Sequence, residues 1–273
     1  MNKIKNDFGQ EFSDIPYCPK ELSEISIDKQ HWCSIQRSAK ERNIRFNITK
    51  EDLICLFQKQ KGLCALSGIR LQVNNTGNIE RTLSLDRIDS NQGYTLSNVQ
   101  WIHKYINKMK IHYNQDVFII LCCDVVSFNK NKDFVLKNHI FNSYTPKNGI
   151  TPFYKGELPV AIWKLIVKKA KRRNIGVDVS REEAQELFLQ QKGLCALSGK
   201  EIQLRPFRNP RGYTKNFIHT ASLDRIDSSL PYVKYNIQWV YKKINMMKYN
   251  YSTKMFIDMC IRISNKHKPV FYI

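Results

Sequence analysis

Apolar and basic positions alternate with helical spacing around Trp32 to Asn43 and again around Trp163 to Asn174, which predicts an amphipathic helix in each place. A second helix follows each. Thr49 with Asp52 and Ser180 with Glu183 have the spacing of an N-terminal capping box, and Leu53, Leu56, Phe57 or Ala184, Leu187, Phe188 recur on one helical face behind them. The CALSG segments read as short strands entering turns at Gly68 and Gly199. SLDRID alternates apolar and polar residues as a strand does, so the two together predict a β-hairpin. From Asn98 to Lys110 the apolar Val99, Ile102, Ile106 and Met109 fall three and four apart, as do Ile237, Val240, Ile244 and Met247 between Asn236 and Lys248. That pattern predicts a helix packed on the hairpin. Closing helices are expected near Asn114 to Phe128 and Ser252 to Ser264.

These elements come in two copies. QKGLCALSG runs from Gln60 to Gly68 and, letter for letter, from Gln191 to Gly199; SLDRIDS runs from Ser84 to Ser90 and from Ser222 to Ser228. The offset is 131 at Cys64 and Cys195 but 138 at Asp86 and Asp224, so a seven-residue insertion separates the strings in the second copy. Beyond the aspartate the register holds: Asn98 and Asn236 follow it by 12 residues, and Asn107 and Asn245 follow those by 9. The expected fold is α+β, with an N-terminal extension over 1–27, a first module over 28–129, a Pro-containing linker over 130–158 and a second module over 159–273.

Charge narrows the partner. With 44 Lys plus Arg against 24 Asp plus Glu the formal charge is +20, which attracts polyanions, and nucleic acid is the leading partner. The alternative is a compositional bias towards Lys, which the many Asn and Ile residues fit and which would by itself explain the whole excess. No apolar run approaches the ~18 residues of a membrane span, and acids interrupt the first residues where a secretory segment would be apolar. A soluble cytoplasmic chain is the expectation. The eight cysteines include no C-x-x-C pair, so free thiols are expected and structural zinc is not; Cys64 and Cys195 read as small packing residues.

A hairpin bearing an aspartate, followed by asparagines at fixed spacing, resembles the ββα-metal motif of the HNH endonuclease family. The residues that carry the resemblance are Asp86-Arg87, Asn98 and Asn107, and Asp224-Arg225, Asn236 and Asn245; it covers about 30 residues strictly in each half. It implies that Asp86 with Asn107, and Asp224 with Asn245, hold one Mg²⁺ or Mn²⁺ per module through hard oxygen donors, which would act as a Lewis acid on a phosphodiester. Asn98 and Asn236 would brace the loop that orients the reacting groups. Taken singly, these asparagines would also serve as ordinary helix caps.

One departure from the family stands out. Where it carries a general-base histidine, this chain has Arg87 and Arg225, which cannot accept a proton but can clamp a phosphate. Candidate bases are Asp89 and Asp227, a metal-bound hydroxide, or His103, placed four residues before Asn107 on the same expected helix face; its counterpart is Tyr241. A surface role for His103 is the stronger alternative. Lys110 and Lys248 are candidates for phosphate contact, as are Arg205, Arg208, Arg211 and Lys215, which interleave with aromatics in the second copy's longer loop. Trp101 and Trp239 read as buried anchors in preference to base-stacking platforms.

The expectation is a metal-dependent DNA endonuclease of restriction, homing or phage type, a monomeric pseudo-dimer acting on double-stranded DNA with no small-molecule substrate and no membrane. The alternative is an HNH-derived DNA-binding protein without hydrolysis. An RNA-directed role lacks recognisable RNA-module signatures and ranks below both.

Overall fold

Asp28 sets the first boundary. Its carboxylate accepts from the His31 amide at 2.7 Å and caps α1, Lys29–Glu41. The computed structural model describes residues 27–73, 81–138, 158–204 and 220–267. After α1 the chain reverses through Asn43, in the left-handed region at φ 52°, into the two-residue strand β1, Phe46–Asn47. The Thr49–Asp52 capping box is formed and starts α2, Lys50–Lys59.

The CALSG segment is not a strand. It closes on itself, with Cys64 N donating to Ile69 O, Gly68 N to Cys64 O, and one antiparallel bridge between Leu63 and Arg70. The hairpin partner expected there lies further along. Strand β2, Leu83–Arg87, is followed by a loop, the short β3, Tyr94–Thr95, which pairs in parallel with β1, and one 3₁₀ turn, Leu96–Asn98. Strand β4, Val99–His103, then runs antiparallel to β2 with Leu85 opposite Trp101 and Asp86 opposite Gln100. Only after His103 does the chain become helical, as α3, Lys104–Lys110.

The expected helix over 98–110 is thus half strand, for a physical reason. All five residues of β4 are buried, so the polar-out alternation that marks a strand is missing. Val99 and Ile102 meet a helical template only because β4 is covered on both faces. Trp101 is fully buried against α2, its Nε1 donating to Leu53 O at 2.9 Å. Gln60 closes the strand's free edge: its carboxamide accepts from Trp101 N and donates to Trp101 O and Leu63 O, all at 2.8 Å. Helices α4, Gln115–Lys130, and α5, Lys132–Asn138, follow, the latter inside the stretch read as linker.

The second copy repeats the order. Helix α6, Val160–Arg172, leads through Asn174 (φ 53°) to α7, Arg181–Gln190, whose Ser180–Glu183 capping box is formed. Strand β5, Ala221–Arg225, pairs antiparallel with β6, Ile237–Tyr241, placing Leu223 opposite Trp239 and Asp224 opposite Gln238. Helix α8, Lys242–Lys248, and α9, Thr253–Lys266, complete it. Gln191 clamps Trp239 as Gln60 clamps Trp101. The fold is α+β, with helices around small two-stranded sheets. It divides into two compact units, Met1–Cys123 with Asp258–Ile273, and Asp124–Ile257, so the divisions fall inside α4 and α9. No helix among the described residues is long and apolar enough to cross a membrane.

Candidate active site

The strand pairing decides what surrounds the repeated aspartate. Gln100, its cross-strand neighbour, donates to Asp86 Oδ2 at 2.9 Å, and Lys110, on the last turn of α3, donates to Asp86 Oδ1 at 3.0 Å and Arg87 O at 2.7 Å. Both members of this ion pair are buried, Lys110 completely. Burial pushes the Asp86 carboxyl above its ordinary range, against the opposing pull of Lys110 and Gln100. A buried ammonium without its counter-charge would cost more than the pair does. The second copy matches: Lys248 lies 3.3 Å from Asp224 Oδ2 and donates to Arg225 O at 2.9 Å, and Gln238 donates to Asp224 at 2.9 Å. Lys110 and Lys248, expected at phosphate, are instead internal struts tying the helix to the first strand.

Asn98 pins the loop between β2 and β3. Its Oδ1 accepts from Asp89 N at 2.9 Å, while its Nδ2 donates to Asp89 O at 3.0 Å and Gly93 O at 2.9 Å. Asn236 does the same with Asp227 and Pro231. Arg87 turns into this loop, donating to Ser90 O and Gln92 O, and its guanidinium lies 5.4 Å from the centre of the Tyr94 ring. Arg225 bonds Leu230 O and stacks on Tyr232. The two arginines expected as phosphate clamps thus commit donors to the loop. Asp89 and Asp227 are bound up likewise: hydrogen bonds from Asn91 and Gln92, and from Ser229, hold both carboxyls below their ordinary range.

Asn107 sits on α3 with its Nδ2 donating to Ser84 Oγ at 2.8 Å and Leu85 O at 3.3 Å; Asn245 bonds Ser222 Oγ at 2.7 Å. The Asn107 carboxamide oxygen accepts no hydrogen bond among the described residues. Nothing in the spacing marks Ser84 or Ser222 beyond their place in the identical SLDRIDS string.

A cavity of about 630 Å³ opens in the first unit. Ser84, Asp86 and Asn107 line it together, with the cations Arg42, Arg81, Arg87 and Lys104 around them. His31 reaches it from α1. Its ring is buried 5.9 Å from that of Trp101, its Nδ1 has no hydrogen-bond partner, and its pKa is lowered to about 4, first by burial and then by Arg81. The motif-bearing strings lie far from His31 in sequence, so spacing gives no sign of it. His103, by contrast, does not share a helix face with Asn107. It is the last residue of β4, buried, with Nδ1 accepting from Tyr105 N.

No group of three or more His, Cys, Asp or Glu able to hold a metal occurs among the described residues. On this cavity the Asn107 carboxamide oxygen is open to a hard cation that keeps most of its ligands as water, as Mg²⁺ does, while both Asp86 oxygens already accept from Gln100 and Lys110, so Asp86 would have to share an oxygen with the cation. Arg205, Arg208, Arg211 and Lys215 lie outside the described residues. The seven described cysteines are free thiols, and Cys64 and Cys195 are fully buried.

No family model and no solved structure matches the chain. It is similar to an uncharacterized protein of Acanthamoeba polyphaga mimivirus, at 24% identity over 244 residues that make up 89% of this chain. The match spans 38% of the viral protein's length.

Proposed function

We propose that the chain is a divalent-metal-dependent DNA endonuclease built from two HNH-like modules. The observation that carries the reading is the cavity of the first unit, where Asp86 and Asn107 meet four cationic side chains. The order of strand, pinned loop, strand and helix, present twice, supports it, as does the +20 charge.

In this reading Arg42, Arg81 and Lys104 hold the phosphodiester through charge-assisted hydrogen bonds, with Arg87 behind them. Asp86 and Asn107 would hold a Mg²⁺ or Mn²⁺ ion, which supplies Lewis-acid stabilisation of phosphate charge. The Ser84 bond fixes the Asn107 carboxamide and leaves its oxygen for a ligand. Asn98 keeps the loop, and through it Arg87 and Tyr94, in place.

A second reading rests on a specific observation. Lys110 already sets a positive charge on Asp86, and Arg87 spends donors inside the protein, as in a DNA-binding protein that does not hydrolyse. Incubating the full chain with supercoiled plasmid and Mg²⁺ or Mn²⁺ separates the two. Nicked or linear product that EDTA abolishes supports the nuclease; salt-dependent binding with no product in any divalent metal replaces it with the second reading.

A further inference from the structure

We propose that His31 is the proton acceptor for the attacking water in the first repeat, and that the second repeat has none at the matching position. The inference rests on the nuclease reading above.

His31 is the imidazole on the cavity that also presents Asp86 and Asn107. Its Nδ1 is sealed inside the protein without a partner, which leaves Nε2 as the nitrogen able to serve a molecule in the cavity. An unpaired buried polar atom is destabilising, and a residue needed only for packing has no reason to carry one. The sister copy does not. With Trp32, Ala39 and Asn43 matched to Trp163, Ala170 and Asn174, the counterpart of His31 is Ile162. Both helices form with the same reversal behind them, at Asn43 and Asn174, so the fold does not require the imidazole.

The charged groups around His31 are Asp28 on its own helix turn and, across the cavity, Arg42, Arg81, Asp86, Arg87 and Lys104. Burial and Arg81 keep the ring neutral near pH 7, the form that can take a proton. A bound phosphodiester adds negative charge beside it and so raises its proton affinity.

The step balances within these groups. An O–H bond of water breaks, its proton passes to the imidazole, and the water oxygen forms the new bond to phosphorus. The bond from phosphorus to the 3′ oxygen breaks with its electron pair on that oxygen, which takes a proton from solvent; the imidazolium returns its proton to solvent. With Ile162 in the other repeat, one strand is cut per engagement.

The test uses the full chain, supercoiled plasmid and Mg²⁺, comparing wild type with His31→Ile, whose side chain the sister repeat already carries, and with His31→Ala. Expected are nicked circles from wild type, a fall of about 100-fold or more in nicking rate for both variants, unchanged DNA affinity, and partial recovery of His31→Ala by added imidazole. His31→Ile cutting within about threefold of wild type overturns the proposal and leaves the nuclease reading intact. A loss that imidazole does not restore, accompanied by lower thermal stability, also overturns it by assigning His31 a structural role. A wild-type chain that cuts no DNA in any divalent metal overturns both.

Discussion

Lys110 and Asp86 form a buried ion pair at 3.0 Å, and Lys248 repeats it on Asp224 at 3.3 Å. Each lysine also donates to the carbonyl of the arginine after the aspartate, so one ammonium fastens the end of a helix to the strand carrying the site. The charges stabilise each other but do not by themselves make the fold more stable than an apolar pair would. Lys110→Met should therefore destabilise the first unit by about 3–5 kcal/mol, because it leaves the Asp86 carboxylate buried alone. Adding Asp86→Asn should recover a large part of that loss. Urea unfolding of the single and double variants checks both, and a Lys110→Met chain as stable as wild type would refute the strut.

The identical CALSG turns should answer differently to one substitution. Gly68 and Gly199 both sit in the left-handed region, at φ 71° and 64°. A Cβ on Gly68 would meet only the Lys266 side chain at 3.9 Å, whereas one on Gly199 would fall 2.4 Å from the Phe128 ring. Gly68→Ala should cost about 1–2 kcal/mol of backbone strain. Gly199→Ala should cost that and a further 1–3 kcal/mol, roughly, for overpacking. Paired thermal melts give the comparison, and equal losses would contradict it.

Acid should weaken the fold through His31. Its pKa drops from 6.5 to about 4 on folding, so between those values the unfolded chain binds a proton that the folded chain refuses. Stability is therefore unaffected by this group above pH 6.5 and falls as pH decreases from there towards 4, by at most about 3 kcal/mol. Unfolding measured across this range for wild type and His31→Ile should show a gap that opens on acidification. Parallel curves would show that the imidazole is not held neutral.

Much of the fold was legible in the sequence because the repeat exposed it. The capping boxes at Thr49 and Ser180 placed two helices, and the closing helices lie within two residues of expectation. Strand β4 reads as helix in the sequence because burial on both faces removes the alternation that identifies strands. CALSG reads as a hairpin strand for a related reason: a short apolar segment ending in glycine suits a turn as well as a strand. Asp86 and Asn107, singled out by the HNH resemblance and their repeated spacing, line one cavity. The roles of Lys110, Arg87 and Gln60 were not legible, since a charge or amide that turns inward looks in sequence like one that turns outward. His31 was invisible for a different reason. It reaches the cavity through tertiary packing of a helix with no motif of its own.

A hard cation meeting the Asn107 and Asn245 oxygens beside a phosphate is the central requirement of the proposed nuclease. Substituting Asp86 would orphan Lys110 and confuse folding with chemistry, so the asparagines are the sharper probe. The decisive measurement is the Mg²⁺-dependent rate of supercoiled plasmid conversion by wild type, Asn107→Ala, Asn245→Ala and the double variant, each first shown to be folded and to bind DNA. At least a tenfold loss is expected for Asn107→Ala, as for removing a group that fixes charge at the reacting centre, with no residual cutting by the double variant above the EDTA background. A double variant that cuts at the wild-type rate would contradict the proposed metal site.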